Sequence, residues 1–75
     1  ISLLEWLAII FAIAIVWMAE MINTAIETLS DVVSPAYHPK IKIVKDIAAG
    51  AVLVAAVAAV IVGLLIFIPK LFPST

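Results

Sequence analysis

IAAGAVLVAAVAAVIVGLLIFI, residues 47–68, is a run of 22 residues without a charge. As a helix it measures about 33 Å, enough to cross a hydrocarbon core of about 30 Å unaided. Toward the amino terminus a second apolar run covers Trp6 to Ala19, 14 residues, or about 21 Å of helix. That is too short to span, so the same helix must carry Glu20, and with it Asn23, into the membrane boundary. No proline or glycine interrupts Leu3 to Val33, so one helix of about 45 Å is expected there, projecting its polar end past the lipid. Ser34-Pro35 stops it, because proline lacks an N–H and restricts the residue before it. The expected architecture is all-α, a transmembrane helical hairpin in one membrane domain. It comprises a helix over 3–33, a loop over 34–46 in which Ile41 to Lys45 can begin the next helix early, a spanning helix over 47–68 ended by Pro69, and a tail over 69–75.

Composition agrees with this. The chain has 75 residues, of which 68% are hydrophobic and 12% charged, with a mean hydropathy of +1.43. A soluble domain of this size is excluded. A net charge of −1 argues against nucleic acid as a partner, and the absence of cysteine excludes disulfides and thiolate metal sites. The chain opens at Ile1, which leads us to expect further sequence before it; the first run has neither the basic start nor the cleavage-type end of a signal peptide. Lys40, Lys42 and Lys45 lie in the connection, whereas Lys70 beside Glu5 is the lone cation of the other side. The positive-inside rule therefore places the loop in the cytoplasm and both ends outside.

The segment Glu20-Met21-Ile22-Asn23-Thr24-Ala25-Ile26-Glu27-Thr28-Leu29-Ser30-Asp31 carries the chemistry. At about 100° per residue, Glu20, Asn23, Thr24, Glu27 and Asp31 fall within roughly 100° of one helical face. Ionisable groups at membrane depth are expensive and usually face a bundle interior or a wet cavity. A solvated helix end explains Asp31 well, Glu27 fairly and Glu20 poorly. The acids repel one another, and a divalent cation is the simplest offset. Glu20 and Glu27 stand two turns apart, about 10 Å along the axis, which suits two roles in one site rather than one clamp. Across the loop, Lys45-Asp46 precedes the second apolar run. The plain reading makes Asp46 a helix cap and Lys45 a membrane anchor. The functional reading makes them a phosphate seat, an ammonium beside free helix N–H groups. Ala51, Ala55, Ala59 and Gly63 recur every four residues as a small-residue packing seam. Trp6 and Phe67 suit the outer aromatic belt, and His38, with no second histidine, is read as structural.

The order Glu20-Met21-Ile22-Asn23-Thr24-Ala25-Ile26-Glu27, Asp31, Tyr37-His38-Pro39 and Lys45-Asp46-Ile47-Ala48-Ala49-Gly50-Ala51-Val52-Leu53 resembles the prokaryotic diacylglycerol kinase and undecaprenol kinase family along essentially the whole chain. The resemblance implies the second and third spanning helices of a three-helix subunit in a trimeric bundle. It implies a kinase of the bacterial inner membrane that uses ATP and Mg²⁺ to phosphorylate a lipid alcohol. Glu20 would be the catalytic base with Asn23 its neighbour, Glu27 a magnesium ligand, Lys45 a holder of ATP phosphates, and Asp31 and Asp46 part of the nucleotide pocket. The family's surface helix and first spanning helix have no counterpart here, so this segment alone is expected to be inactive. Asn23-Thr24-Ala25-Ile26-Glu27, His38-Pro39 and Ala48 to Ala51 look more like the undecaprenol branch. The rival reading is a non-enzymatic membrane hairpin, a proton-carrying ring subunit or small transporter protomer. A ring subunit would place its acid in the second helix and glycine repeats in the first, and this chain has neither.

Overall fold

In the computed structural model, which describes residues 1–72, two long helices form an antiparallel hairpin with extents of 56 × 20 × 12 Å. Helix α1 runs Leu3–Val33 and helix α2 runs Pro39–Leu71, and among the described residues there is no strand. Both helices are long and apolar enough to cross a membrane.

The start of α1 is a capping box. The Ser2 hydroxyl accepts from the Glu5 N–H at 3.2 Å, and the Ser2 N–H donates to Glu5 Oε1 at 2.9 Å. Two of the helix's orphan donor groups are satisfied reciprocally. At the other end the Ser34 N–H donates to the Ser30 carbonyl at 2.8 Å, and the Ser34 hydroxyl donates to the Ala36 carbonyl at 3.1 Å, closing the turn.

The second helix differs from expectation at both ends. It begins at Pro39, inside the segment read as loop, with His38 as its cap: His38 Nδ1 accepts from the Lys40 N–H at 3.2 Å. Proline at the first helical position costs nothing, since its missing N–H would be an orphan and its φ is already helical. Pro69 does not end α2, which continues to Leu71. So close to the terminus, a proline removes only one bond of a ladder that is about to stop. The expected tail is therefore helical at Lys70 and Leu71, while residues 73–75 lie outside the described residues.

The packing seam follows a seven-residue repeat. On α1 the side chains less open to solvent include Ala12, Val16, Ala19, Asn23, Ile26 and Ser30; on α2 they include Ile41, Lys45, Ala48, Val52, Ala55, Ala59, Val62 and Ile66. Alternating steps of three and four keep one stripe facing the partner, as in a coiled coil. Ala48, Ala55, Ile66 and Ser30 are the buried residues. The four-residue seam read from the sequence is thus half right: Ala55 and Ala59 are in it, Ala51 is exposed, and a Cβ at Gly63 would meet nothing within 4 Å. Small side chains let the backbones approach, and a strict spacing of four would drift off the contact line.

An ion pair at each end sets the register: Lys45 Nζ to Asp31 Oδ1 and Lys70 Nζ to Glu5 Oε2, both 2.7 Å. Little apolar surface is hidden by two helices alone. Leu53 is 65% exposed and Leu65 72%, so this surface requires lipid or further helices around it.

Candidate functional site

Glu20, Glu27 and Asp31 are exposed side chains of α1 on one flank of the hairpin, roughly 60–100° round the helix from the seam line of Ala19, Asn23, Ile26 and Ser30. The Asp31–Lys45 pair identifies this as the flank on which α2 presents Lys45. Along the helix axis the order is Glu20, then Glu27 about 10 Å on, then Asp31 with Lys45 about 6 Å further. Glu20 and Glu27 have no hydrogen bond or ion pair among the described residues, whereas Asp31 is committed to Lys45. By the register of the two ion pairs, Glu20 stands beside the uncharged stretch of α2, well below the level of Lys45.

Lys45 lies outside the apolar run 47–68. The hydrogen bond to Asp31 pushes its pKa up, opposed by partial burial and helped by the negative charges of Asp31 and Glu27. It is a dependable cation. The sequence reading also gave it free helix N–H groups, and that part is corrected. Because α2 starts at Pro39, Lys45 sits more than a turn inside the helix and its neighbours' N–H groups are spent on the ladder. What it offers is the ammonium alone.

Asp46 is corrected as well. It is no cap: it lies within α2 and accepts from Lys42 Nζ at 2.7 Å, one turn back. One residue beyond Lys45 it is turned a further 100° round α2, and its carboxylate is committed to Lys42. Asn23 is turned into the seam, and its Oδ1 is buried without a hydrogen-bond partner. An orphaned amide oxygen costs about 1–3 kcal/mol. A buried polar atom left without a partner calls for a specific explanation, structural or catalytic.

Among the described residues, no three His, Asp or Glu side chains gather to hold a metal ion. Mg²⁺ does not ask for such a cage: it keeps water and binds through one or two carboxylates together with phosphate oxygens. Glu27, exposed and unpaired beside Lys45, fits that mode.

The flank opposite the acids is a groove of about 500 Å³ lined by side chains that include Met18, Ile22, Ile26, Ile47 and Ala51. A recess of about 280 Å³ lies at the hairpin turn, lined among others by Asp31, Tyr37, His38 and Lys45. Neither was read from the sequence. The Ser34-Pro35 and His38-Pro39 pairs signalled the turn, but a recess arises only when the two helix ends are brought side by side.

A family model described as prokaryotic diacylglycerol kinase matches residues 1–67. An undecaprenol kinase of Bacillus subtilis (strain 168) is 48% identical over 71 residues, covering 95% of this chain and 58% of that protein. A diacylglycerol kinase of Synechocystis sp. is 52% identical over 58 residues, covering 76% of this chain and 33% of that protein. The chain thus spans little more than half the length of one relative and a third of the other. No solved structure matches it significantly.

Proposed function

The chain belongs to the prokaryotic diacylglycerol kinase family, and from that premise we propose that the whole protein is a Mg²⁺-dependent membrane lipid kinase that moves the γ-phosphate of ATP to a lipid alcohol. The observation that carries the reading is the ladder on one flank of the hairpin: free Glu20 at membrane depth, free Glu27 above it, and Lys45 above that. Phosphoryl transfer needs positioning and charge compensation more than covalent help, and this ladder carries a base, an anionic metal ligand and a cation in line.

Glu20 takes the proton of the lipid hydroxyl as its oxygen bonds to the γ-phosphorus; the bond from that phosphorus to the β,γ-bridging oxygen breaks, and ADP leaves. General-base help of this kind typically contributes about 10²–10⁴-fold. Asn23, next to Glu20 on the ladder's inner edge, orients a donor or acceptor in the site. Lys45 neutralises the phosphates, with Asp31 holding its ammonium in place and forming one wall of the nucleotide pocket. Mg²⁺ at Glu27, when bound, screens the phosphate oxygens. Asp46 holds Lys42, whose side chain lines the recess at the turn, and so serves the pocket through it.

The turn faces the cytoplasm of a bacterial inner membrane in this reading, where ATP is, and further helices of a homo-oligomer, a trimer, cover the exposed apolar surface. The substrate in this reading is undecaprenol, as the likeness of Asn23-Thr24-Ala25-Ile26-Glu27, His38-Pro39 and Ala48-Ala49-Gly50-Ala51 to the undecaprenol branch implies. The test is transfer of labelled γ-phosphate by the full-length protein to undecaprenol or diacylglycerol, with and without Mg²⁺. Labelled lipid should appear only with a lipid alcohol and Mg²⁺ together. ATP hydrolysis indifferent to lipid overturns the reading.

A further inference from the structure

We propose that the apolar groove on the flank away from the acids seats one acyl chain of an anionic membrane phospholipid, whose phosphate lies against the Lys40 ammonium. The groove measures about 500 Å³, and every side chain lining it is apolar: Met18, Ile22 and Ile26 on the α1 side, Val44, Ile47 and the small Ala51 on the α2 side. That volume falls within the roughly 300–1,000 Å³ of small-molecule pockets. Along α1 the groove runs from Ile15 to Ile26, about 16 Å, which is one leaflet of a hydrocarbon core about 30 Å thick. The occupant is distinct from the substrate, since Glu20 stands on the other flank.

Lys40 stands at the upper end of this groove. On α2, Lys40, Val44, Ile47 and Ala51 follow steps of four, three and four, so they share one face to within about 60°. Of the lysines near the turn, Lys42 is committed to Asp46 and Lys45 to Asp31, each at 2.7 Å. Lys40 is exposed and has no ion pair among the described residues. It lies about 10 Å above Ile47 along the axis. A lysine stem can bring its ammonium back to the headgroup layer, which is about 5–8 Å thick outside the hydrocarbon.

A free cation above a wholly apolar groove is the complement of an amphiphile with an anionic head. Another spanning helix would fill the groove as well, but would bring no anion to Lys40. The flexible, polarizable Met18 side chain suits a chain that is itself mobile. A second apolar groove of about 270 Å³ continues from Ile15 toward the other end of the hairpin. The cation at that end, Lys70, is already held by Glu5 at 2.7 Å. The seat therefore belongs to the leaflet on the side of the turn.

The test places the full-length protein in phosphatidylcholine vesicles containing a phosphatidylglycerol with a photoactivatable diazirine midway along one chain, and locates the adducts by mass spectrometry. Adducts should concentrate on Met18, Ile22 and Ile47. Unlabelled phosphatidylglycerol should displace the probe about fivefold better than phosphatidylcholine, the usual worth of one lysine at a membrane surface. Lys40→Gln should erase that preference, Lys70→Gln should keep it, and Ala51→Phe, which fills the groove, should remove the adducts. Adducts spread evenly over other apolar faces, such as those of Leu53 and Leu65, would make the lipid mere solvent and overturn the seat. Labelling that spares the groove altogether would mean that another helix or a second copy of this chain covers it, and the seat is again overturned. If Lys40→Gln leaves the preference intact, the phosphate is not at Lys40 and the proposal falls. None of these readouts involves phosphoryl transfer, so the kinase reading is tested apart from them.

Discussion

Lys45 Nζ donates to Asp31 Oδ1 at 2.7 Å, joining the start of α2 to the end of α1 on the flank where Glu20 and Glu27 stand free. The pair is partly solvated, with side chains 36% and 69% exposed, so its direct contribution to stability is at most about 1 kcal/mol. Its consequence is placement: a four-carbon stem otherwise free to swing is held above Glu27. Lys45→Ala in the full-length protein should therefore raise the KM for ATP well beyond any change in the KM for lipid. Equal, unchanged values for both substrates would reduce Lys45 to a membrane anchor.

Glu20→Gln keeps the shape of the side chain and removes the base. Lipid phosphorylation should fall about 10²–10⁴-fold, with insertion and assembly preserved on size-exclusion chromatography. Retention of more than about a tenth of wild-type turnover is incompatible with Glu20 as general base.

Glu27→Ala should leave activity that high Mg²⁺ does not restore, whereas Thr28→Ala should titrate with Mg²⁺ like the wild type. Glu27 lies on the Lys45 flank; Thr28, about 100° further round, points away from α2. A carboxylate that holds the metal acts on the transition state as well as on binding, so its loss lowers kcat too. Identical Mg²⁺ titrations for the two variants would mean that the acids are only a solvated helix end.

Asn23→Leu should separate stability from activity. Removing the buried, partnerless Oδ1 relieves a penalty of about 1–3 kcal/mol, so the thermal midpoint in detergent should hold or rise while phosphorylation falls. Loss of both together would make Asn23 a packing residue with a partner supplied by another helix.

At the outer end, Glu5 has two tasks and Lys70 one. The Glu5 carboxylate closes the capping box with Ser2 and also accepts from Lys70. Glu5→Ala should therefore lower the thermal midpoint more than Lys70→Ala, by the typical cost of a lost cap, about 1 kcal/mol. The Lys70→Ala effect should shrink in high salt, since the pair is half exposed. Equal shifts would mean that the capping box adds nothing in the assembled protein.

The hairpin was legible because apolar run length and proline position are local quantities. Ile47 to Ile68 spans by length, and Ser34-Pro35 breaks the chain whatever lies opposite. The acids of α1 were legible for the same reason, since their shared face follows from helical geometry alone. The start of α2 was legible only in part: residues 34–46 read as a loop in which Ile41 to Lys45 could begin the helix early, whereas a proline at the first helical position and a histidine cap start it at Pro39.

By itself the sequence determined an all-helical chain, two apolar helices, an acidic flank on the first and a cluster of lysines near the turn, because each depends on residue type and periodicity within one helix. Only the tertiary structure decided that Lys45 meets Asp31 and Lys70 meets Glu5, that Asn23 is pressed into the seam and that the turn holds a recess. All of these depend on the rotation and register of α2 against α1. These follow from the three-and-four spacing of Ala48, Val52, Ala55 and Ala59 facing Ile26, Asn23, Ala19 and Val16, and from the two ion pairs at the ends. A rotation of one residue, about 100°, would swing Lys45 off Asp31.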